Sequence, residues 1–123
     1  MNPGLTKTYL AQGAIPGRAI VKAGSADGTV AVATSGADAI IGVAECLDVD
    51  DGERVDVIHG GIAEVVCGGN VGSGGFLTAS NAGVAVAAAP AAGVNARTVG
   101  LALTSGSAGD IIDTLLTLTR IQG

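Results

Sequence analysis

Apolar and polar residues alternate over short stretches of this chain, and Gly, Asp, Asn and Ser bound the stretches. In Arg54-Val55-Asp56-Val57-Ile58 the valines fall on one side of an extended backbone and the charged residues on the other, because successive strand side chains point to opposite faces. The same rule predicts strands over 18–23, 30–34, 40–45, 54–58 and 62–66. After a glycine-rich stretch at 68–75 it predicts four more, over 76–79, 84–88, 98–103 and 111–119. The last is ambiguous by period alone, since Ile111, Leu115 and Leu118 also fit the i, i+4, i+7 spacing of an amphipathic helix. Thr114, Thr117 and Thr119 weigh toward strand, because a β-branched side chain is stiff at χ1 and suits a pleated surface.

Compared with itself at an offset of about 57 residues, the chain repeats these features in order. The turn and strand Gly17-Arg18-Ala19-Ile20-Val21-Lys22-Ala23 matches Ser73-Gly74-Gly75-Phe76-Leu77-Thr78-Ala79. Ile40-Ile41-Gly42-Val43-Ala44 matches Thr98-Val99-Gly100-Leu101-Ala102, with a glycine at the same point inside each strand. Such a glycine marks a bulge or a close backbone approach. Asp51-Gly52-Glu53-Arg54-Val55-Asp56-Val57 matches Ala108-Gly109-Asp110-Ile111-Ile112-Asp113-Thr114, and this carries 111–119 into the strand class. The expected fold is all-β: one compact sandwich or barrel-like domain over 15–123, made of two degenerate copies at about 15–67 and 72–123. Residues 1–14 have no counterpart in this scheme, and Pro3 and Gly4 keep their start irregular. They read as an extended N-terminal arm. Its segment Leu5, Thr6, Lys7, Thr8, Tyr9, Leu10 is the candidate partner contact, adding to the exposed edge of a neighbour's sheet.

Composition sharpens this picture. Of the 123 residues 48% are apolar but only 2% aromatic, so Ala, Val, Ile and Leu must build the core. Small side chains remove little surface from water, at roughly 25 cal/mol per Å², and a homo-oligomer is expected to supply the remainder. The net charge is -5, and Lys7, Arg18, Lys22, Arg54, Arg97 and Arg120 are scattered singly. No basic stripe tracks a phosphate backbone, so nucleic acid is not an expected partner. The longest apolar run, 84–94, is mostly alanine and is broken by Pro90 and Gly93, which argues against a membrane span. Residues 1–10 lack the apolar core of a signal peptide.

The residues that could carry chemistry fit no reaction well. Asp48-Val49-Asp50-Asp51-Gly52-Glu53 has alternating carboxylates, but its spacing fails a calcium loop and the matching turn at 105–110 lacks the acids. No metal or cofactor is expected. His59 sits at a Gly-Gly turn and reads as a surface histidine, and Cys46 and Cys67 read as reduced, buried thiols. A hydrolase would need one of them beside His59. The stretch 68–75 lacks the Lys-Ser/Thr of a phosphate loop and reads as the junction between copies.

The order of these motifs is similar to that of the small head-decoration, or capsid-cement, proteins of tailed bacteriophages. The resemblance rests on 17–22, Ile41-Gly42-Val43-Ala44-Glu45, Gly52-Glu53-Arg54-Val55, Gly61-Ile62-Ala63-Glu64-Val65, Gly75-Phe76-Leu77, Val99-Gly100-Leu101-Ala102 and Ala108-Gly109-Asp110-Ile111. It implies a β-rich, commonly trimeric structural protein, made in the bacterial host cytoplasm, that binds the major capsid protein on the outer surface of the virion head. Its role would be to stabilise the expanded shell by bridging subunits, without enzymatic activity. The alanine-rich run 86–92 and the tail 117–123 depart from that pattern. The alternative is a β-rich binding module, for example for cell-surface glycan, against which the scarcity of aromatic rings for stacking on sugars counts.

Overall fold

The computed structural model describes residues 5–89, 92–93 and 95–122. Residues 1–4 of the expected arm, part of the alanine-rich run and residue 123 lie outside the described residues. Ten strands follow one another: β1 Thr6–Ala11, β2 Ile20–Ala23, β3 Thr29–Val32, β4 Ile40–Ala44, β5 Arg54–Ile58, β6 Ile62–Val66, β7 Phe76–Ala79, β8 Ala85–Ala87, β9 Asn95–Ala102 and β10 Ile111–Gln122. One 3-10 turn, Asn81–Gly83, precedes β8. The protein is all-β, each predicted strand is present, and 111–119 is a strand. No helix among the described residues is long and apolar enough to cross a membrane.

The strands form two sheets of identical connectivity. The first is a closed barrel, β1-β3-β2-β4-β5, and the second runs β6-β10-β9-β7-β8. Followed around the barrel from β1 through β5, the first order is β1-β5-β4-β2-β3, which becomes the second when each strand is replaced by its counterpart. Hydrogen bonds repeat as well. Parallel pairs Leu10↔Thr29 and Ala11↔Val30 close the first ring, and the Gln12 N–H donates to the Val30 carbonyl at 2.7 Å. An isolated parallel bridge, Cys67↔Ala85, stands at the equivalent place in the second sheet, with the Gly68 N–H donating to the Ala85 carbonyl at 2.7 Å. The antiparallel bridge Ile15↔Val49 is matched by Val71↔Gly106.

This geometry corrects the expected division of the chain. The segment read as an arm is β1, the first strand of the first copy. Its edge facing β5 is paired from Thr6↔Ile58 to Leu10↔Arg54, and its other edge pairs with β3 at Leu10 and Ala11. Strand addition to a neighbour through its β5-facing edge is therefore closed off. Likewise β6 opens the second copy, pairing with β10 from Ile111↔Val66 to Leu115↔Ile62. The copies thus run from β1 to β5 and from β6 to β10. Their junction is at residues 59–61, whereas 68–75 lies inside the second copy, between β6 and β7.

The strand glycines sit where backbones meet. A Cβ at Gly42 would collide with the Ile58 carbonyl oxygen, and one at Gly100 with the Leu115 carbonyl oxygen. These are corresponding contacts in the two copies.

One core crosses from copy to copy. Ile20, Ala33, Ile40 and Val43 of the first are buried together with Leu77, Val99, Ala102 and Ile112 of the second, with Ile58 and Leu116 packed against them. A smaller cluster, including Ile15, Val21, Val30, Val55 and Val57, fills the first barrel. Around the seam the Arg97 N–H donates to the Gly36 carbonyl at 2.9 Å. Arg18 Nε reaches Glu64 Oε1 at 2.9 Å. Arg18 holds a left-handed backbone, φ 67°, where the second copy has Gly74 at φ 85°. Glycine takes that conformation without a steric cost. In the first copy the position carries instead a side chain that bridges the copies.

Candidate functional site

The groups capable of chemistry, the exposed thiol of Cys46 excepted, are engaged in holding the fold. His59 is half-buried rather than a free turn side chain. Its Nδ1 lies 2.6 Å from the Ile41 carbonyl oxygen and its Nε2 lies 2.7 Å from the Tyr9 hydroxyl. A carbonyl only accepts, so Nδ1 carries the proton and Nε2 of the neutral ring accepts from Tyr9. The rings meet edge to face with centroids 5.5 Å apart, and Lys7 Nζ stands 5.4 Å from the Tyr9 ring centroid. This unit ties β1 to β4 and β5. Both imidazole nitrogens are occupied, which leaves none to activate a thiol. Cys67 is buried, as expected, but Cys46 is exposed; both are free. Burial, then the negative charge of Asp110, push the Cys67 thiol above its ordinary pKa, so its thiolate is disfavoured.

The acidic turn is likewise structural. Asp48 Oδ1 accepts from the Gly17 N–H at 2.7 Å, Asp51 Oδ1 from the Gly13 N–H at 2.8 Å, and Glu53 Oε1 from the Asp50 N–H at 2.6 Å. These carboxylates fasten residues 13–17 and close their own turn, which is why Asp and Glu occur there. In the second copy the Ser107 N–H donates to Asp110 Oδ2 at 2.9 Å, corresponding to the Glu53 contact. Among the described residues no three His, Cys, Asp or Glu side chains converge as metal ligands would. A cleft of about 430 Å³ is lined, among the described residues, by Ile40, Arg97, Leu118 and Thr119, a set that holds no base to activate the Thr119 hydroxyl.

What the molecule presents is surface. Of the candidate contact residues, Leu5, Thr6, Lys7, Thr8 and Leu10 have exposed side chains on or beside β1, while Tyr9 is half-buried against His59. A second feature escaped the sequence reading. Ile62, Leu115, Leu101 and Phe76 are neighbours in register across β6, β10, β9 and β7, and form one outward row. Ile62 is 46% exposed, Leu115 40% and Phe76 38%. Its signal lay in the doublets Ile111-Ile112 and Leu115-Leu116, since adjacent apolar residues in a strand must place one on each face.

No protein-family profile matches the sequence, and no curated protein sequence does. Among solved structures, the chain is similar to the N base of the head fiber gp8.5 in bacteriophage phi29, with a TM-score of 0.69 at 16% sequence identity. The match covers 97% of this chain and 98% of that one. All ten strands lie within a chain whose length is matched almost throughout, so what the two share is the complete fold: this protein is an all-β domain with the architecture of that head-fiber base.

Proposed function

We propose that this chain is a structural protein of a tailed-phage virion, attached to the outer surface of the head, where it stabilises the expanded shell by bridging subunits of the major capsid protein. The observation that carries the reading is the fold, shared over nearly the full length of both chains with a base of a phage head fiber. The motif order in the sequence points the same way. The state of the chemical groups agrees: His59 and the acidic turn are spent on internal contacts, and Cys67 is buried in the core. Stabilisation of this kind is contact rather than turnover. Each bound copy adds subunit contacts that the shell alone lacks, and a ligand that binds only the expanded form raises that form's resistance to melting by mass action.

Purified protein mixed with expanded empty heads is expected to co-sediment with them and to raise their melting temperature, and to leave unexpanded precursors unbound. Failure to bind expanded heads would rule the proposal out.

A further inference from the structure

Aspartate followed by glycine is a dipeptide at which a chain readily reacts with itself, because glycine has no Cβ to hold its nitrogen away from the preceding carboxyl group. The chain contains two such pairs, Asp27-Gly28 and Asp51-Gly52. Both lie in exposed turns, and both glycines hold a left-handed backbone, φ +80° and +84°. A Cβ added at either would meet nothing within 4 Å. In sequence and local shape the two sites are alike. Their hydrogen bonds separate them.

At Asp51 both reacting groups are held. Its Oδ1 accepts from the Gly13 N–H at 2.8 Å, and the Gly52 N–H donates to the Ala11 carbonyl at 2.9 Å. At the other pair, among the described residues, neither the Asp27 carboxylate nor the Gly28 N–H has a hydrogen-bond partner. That turn is closed by its outer residues instead. The Thr29 N–H donates to the Ala26 carbonyl at 3.2 Å, and the Thr29 hydroxyl donates to the same oxygen at 2.6 Å. Asp27 and Gly28 are the two central residues, which closure of this kind leaves without a bond of their own. In the second copy the turn before β8 carries Ala82-Gly83 and so has no carboxyl group to react.

We propose that Asp27 is a site of spontaneous isoaspartate formation, with water as the only co-reactant. The Gly28 nitrogen attacks Asp27 Cγ. The N–Cγ bond forms, the carboxyl C–OH bond breaks, and the hydroxyl leaves with the amide proton as water, closing a five-membered succinimide. Water then adds to the Asp27 backbone carbonyl carbon, and the bond from that carbon to the nitrogen breaks. The nitrogen regains its proton, the former backbone carbonyl becomes a carboxylate, and the chain now runs through Cγ, one carbon longer. Nothing is oxidised or reduced. Net charge is unchanged, but Gly28 is displaced. Its carbonyl accepts from the Leu10 N–H at 2.9 Å, beside the parallel pairs Leu10↔Thr29 and Ala11↔Val30 that close the barrel. The modification therefore loosens the junction of β1 and β3. The inference does not depend on head binding.

Ageing the purified, folded chain for weeks at neutral pH tests it. The aged protein is unfolded and labelled with isoaspartyl methyltransferase, and electron-transfer fragmentation locates each label. Label is expected at Asp27 and about thirtyfold less at Asp51, the factor imposed by opening two hydrogen bonds. Aged in urea, where both turns are lost, the chain should label at the two sites at similar rates. Aged wild type should melt at a lower temperature than fresh protein. Asp27→Glu, whose carboxyl group would have to close a six-membered ring, should gain no label at residue 27 and keep its melting temperature. Equal labelling of the two sites in the folded chain overturns the inference, as does an unlabelled Asp27 in folded protein whose urea-treated form labels there. An aged Asp27→Glu variant that loses as much melting temperature as wild type would overturn the link to the β1–β3 junction.

Discussion

Thr114 is wholly buried, and among the described residues its hydroxyl has no hydrogen-bond partner. The other buried threonines are satisfied, Thr78 donating to the Arg97 carbonyl at 2.7 Å and Thr98 to the Thr117 carbonyl at 3.1 Å. At the corresponding place in the ladder the first copy has Val57. An unsatisfied buried hydroxyl costs about 1–3 kcal/mol. Thr114→Val is accordingly expected to stabilise the protein by about 1 kcal/mol, raising the melting temperature by about 4 °C; calorimetry that finds no rise would show that the hydroxyl is satisfied in solution. Residue identity made such inward positions legible but not their partners. His59 reads as a surface turn because its partners, Tyr9 and Ile41, are far away in sequence and are brought to it only by closure of the barrel.

At the scale of elements, alternation located every strand from β2 to β10, with boundaries shifted by a few residues at most. It failed at β1 for a physical reason. Thr6-Lys7-Thr8-Tyr9-Leu10-Ala11 has no apolar side to set against a polar one, and shares no residue with its counterpart Ile62-Ala63-Glu64-Val65-Val66-Cys67. Without β1, the copies were divided one strand too late. The connection from β3 to β4 carries a separate consequence. Asp38 Oδ2 accepts from the Thr34 N–H at 2.8 Å and the Ser35 N–H at 3.3 Å, and Lys22 Nζ stands 3.8 Å from Oδ1. The Thr34 hydrogen bond is the main influence holding the carboxyl below its ordinary pKa, against the opposing effect of burial. The folded state therefore favours the charged form. Its contribution is complete above the unfolded value of about 3.9 and is lost as pH falls through the lower folded value. Because Gly36 of this connection lies against Thr78 and Ala96, loosening it loosens the seam. Asp38→Asn is expected to cost about 1–2 kcal/mol at neutral pH and to flatten the acid limb of a stability-versus-pH curve measured by urea unfolding; parallel curves for variant and wild type would count against this.

For the molecule as a whole, the core that crosses between the copies decides how it melts. Ile20, Ala33, Ile40 and Val43 would be stripped of their cover if the second copy unfolded alone. The chain is expected to unfold in a single transition, with calorimetric and van't Hoff enthalpies equal; two resolved peaks would mean that the copies are energetically independent. The duplication was legible from the order of turns and strand glycines, whereas the seam was not, because Ile20 and Val43, which it buries, are no more apolar in sequence than the exposed Phe76 and Leu115. The connectivity also imposes a timetable on synthesis. Since β1 pairs with β5, and β6 with β10, each sheet waits for its own last strand, and the first is finished while the second is still emerging. During that interval the row Ile20, Val43 and Ile58 is bare. Tethering through residues 59–61 gives the chain's own second half a high effective concentration there, so the nascent protein covers its first row before a neighbouring chain competes for it.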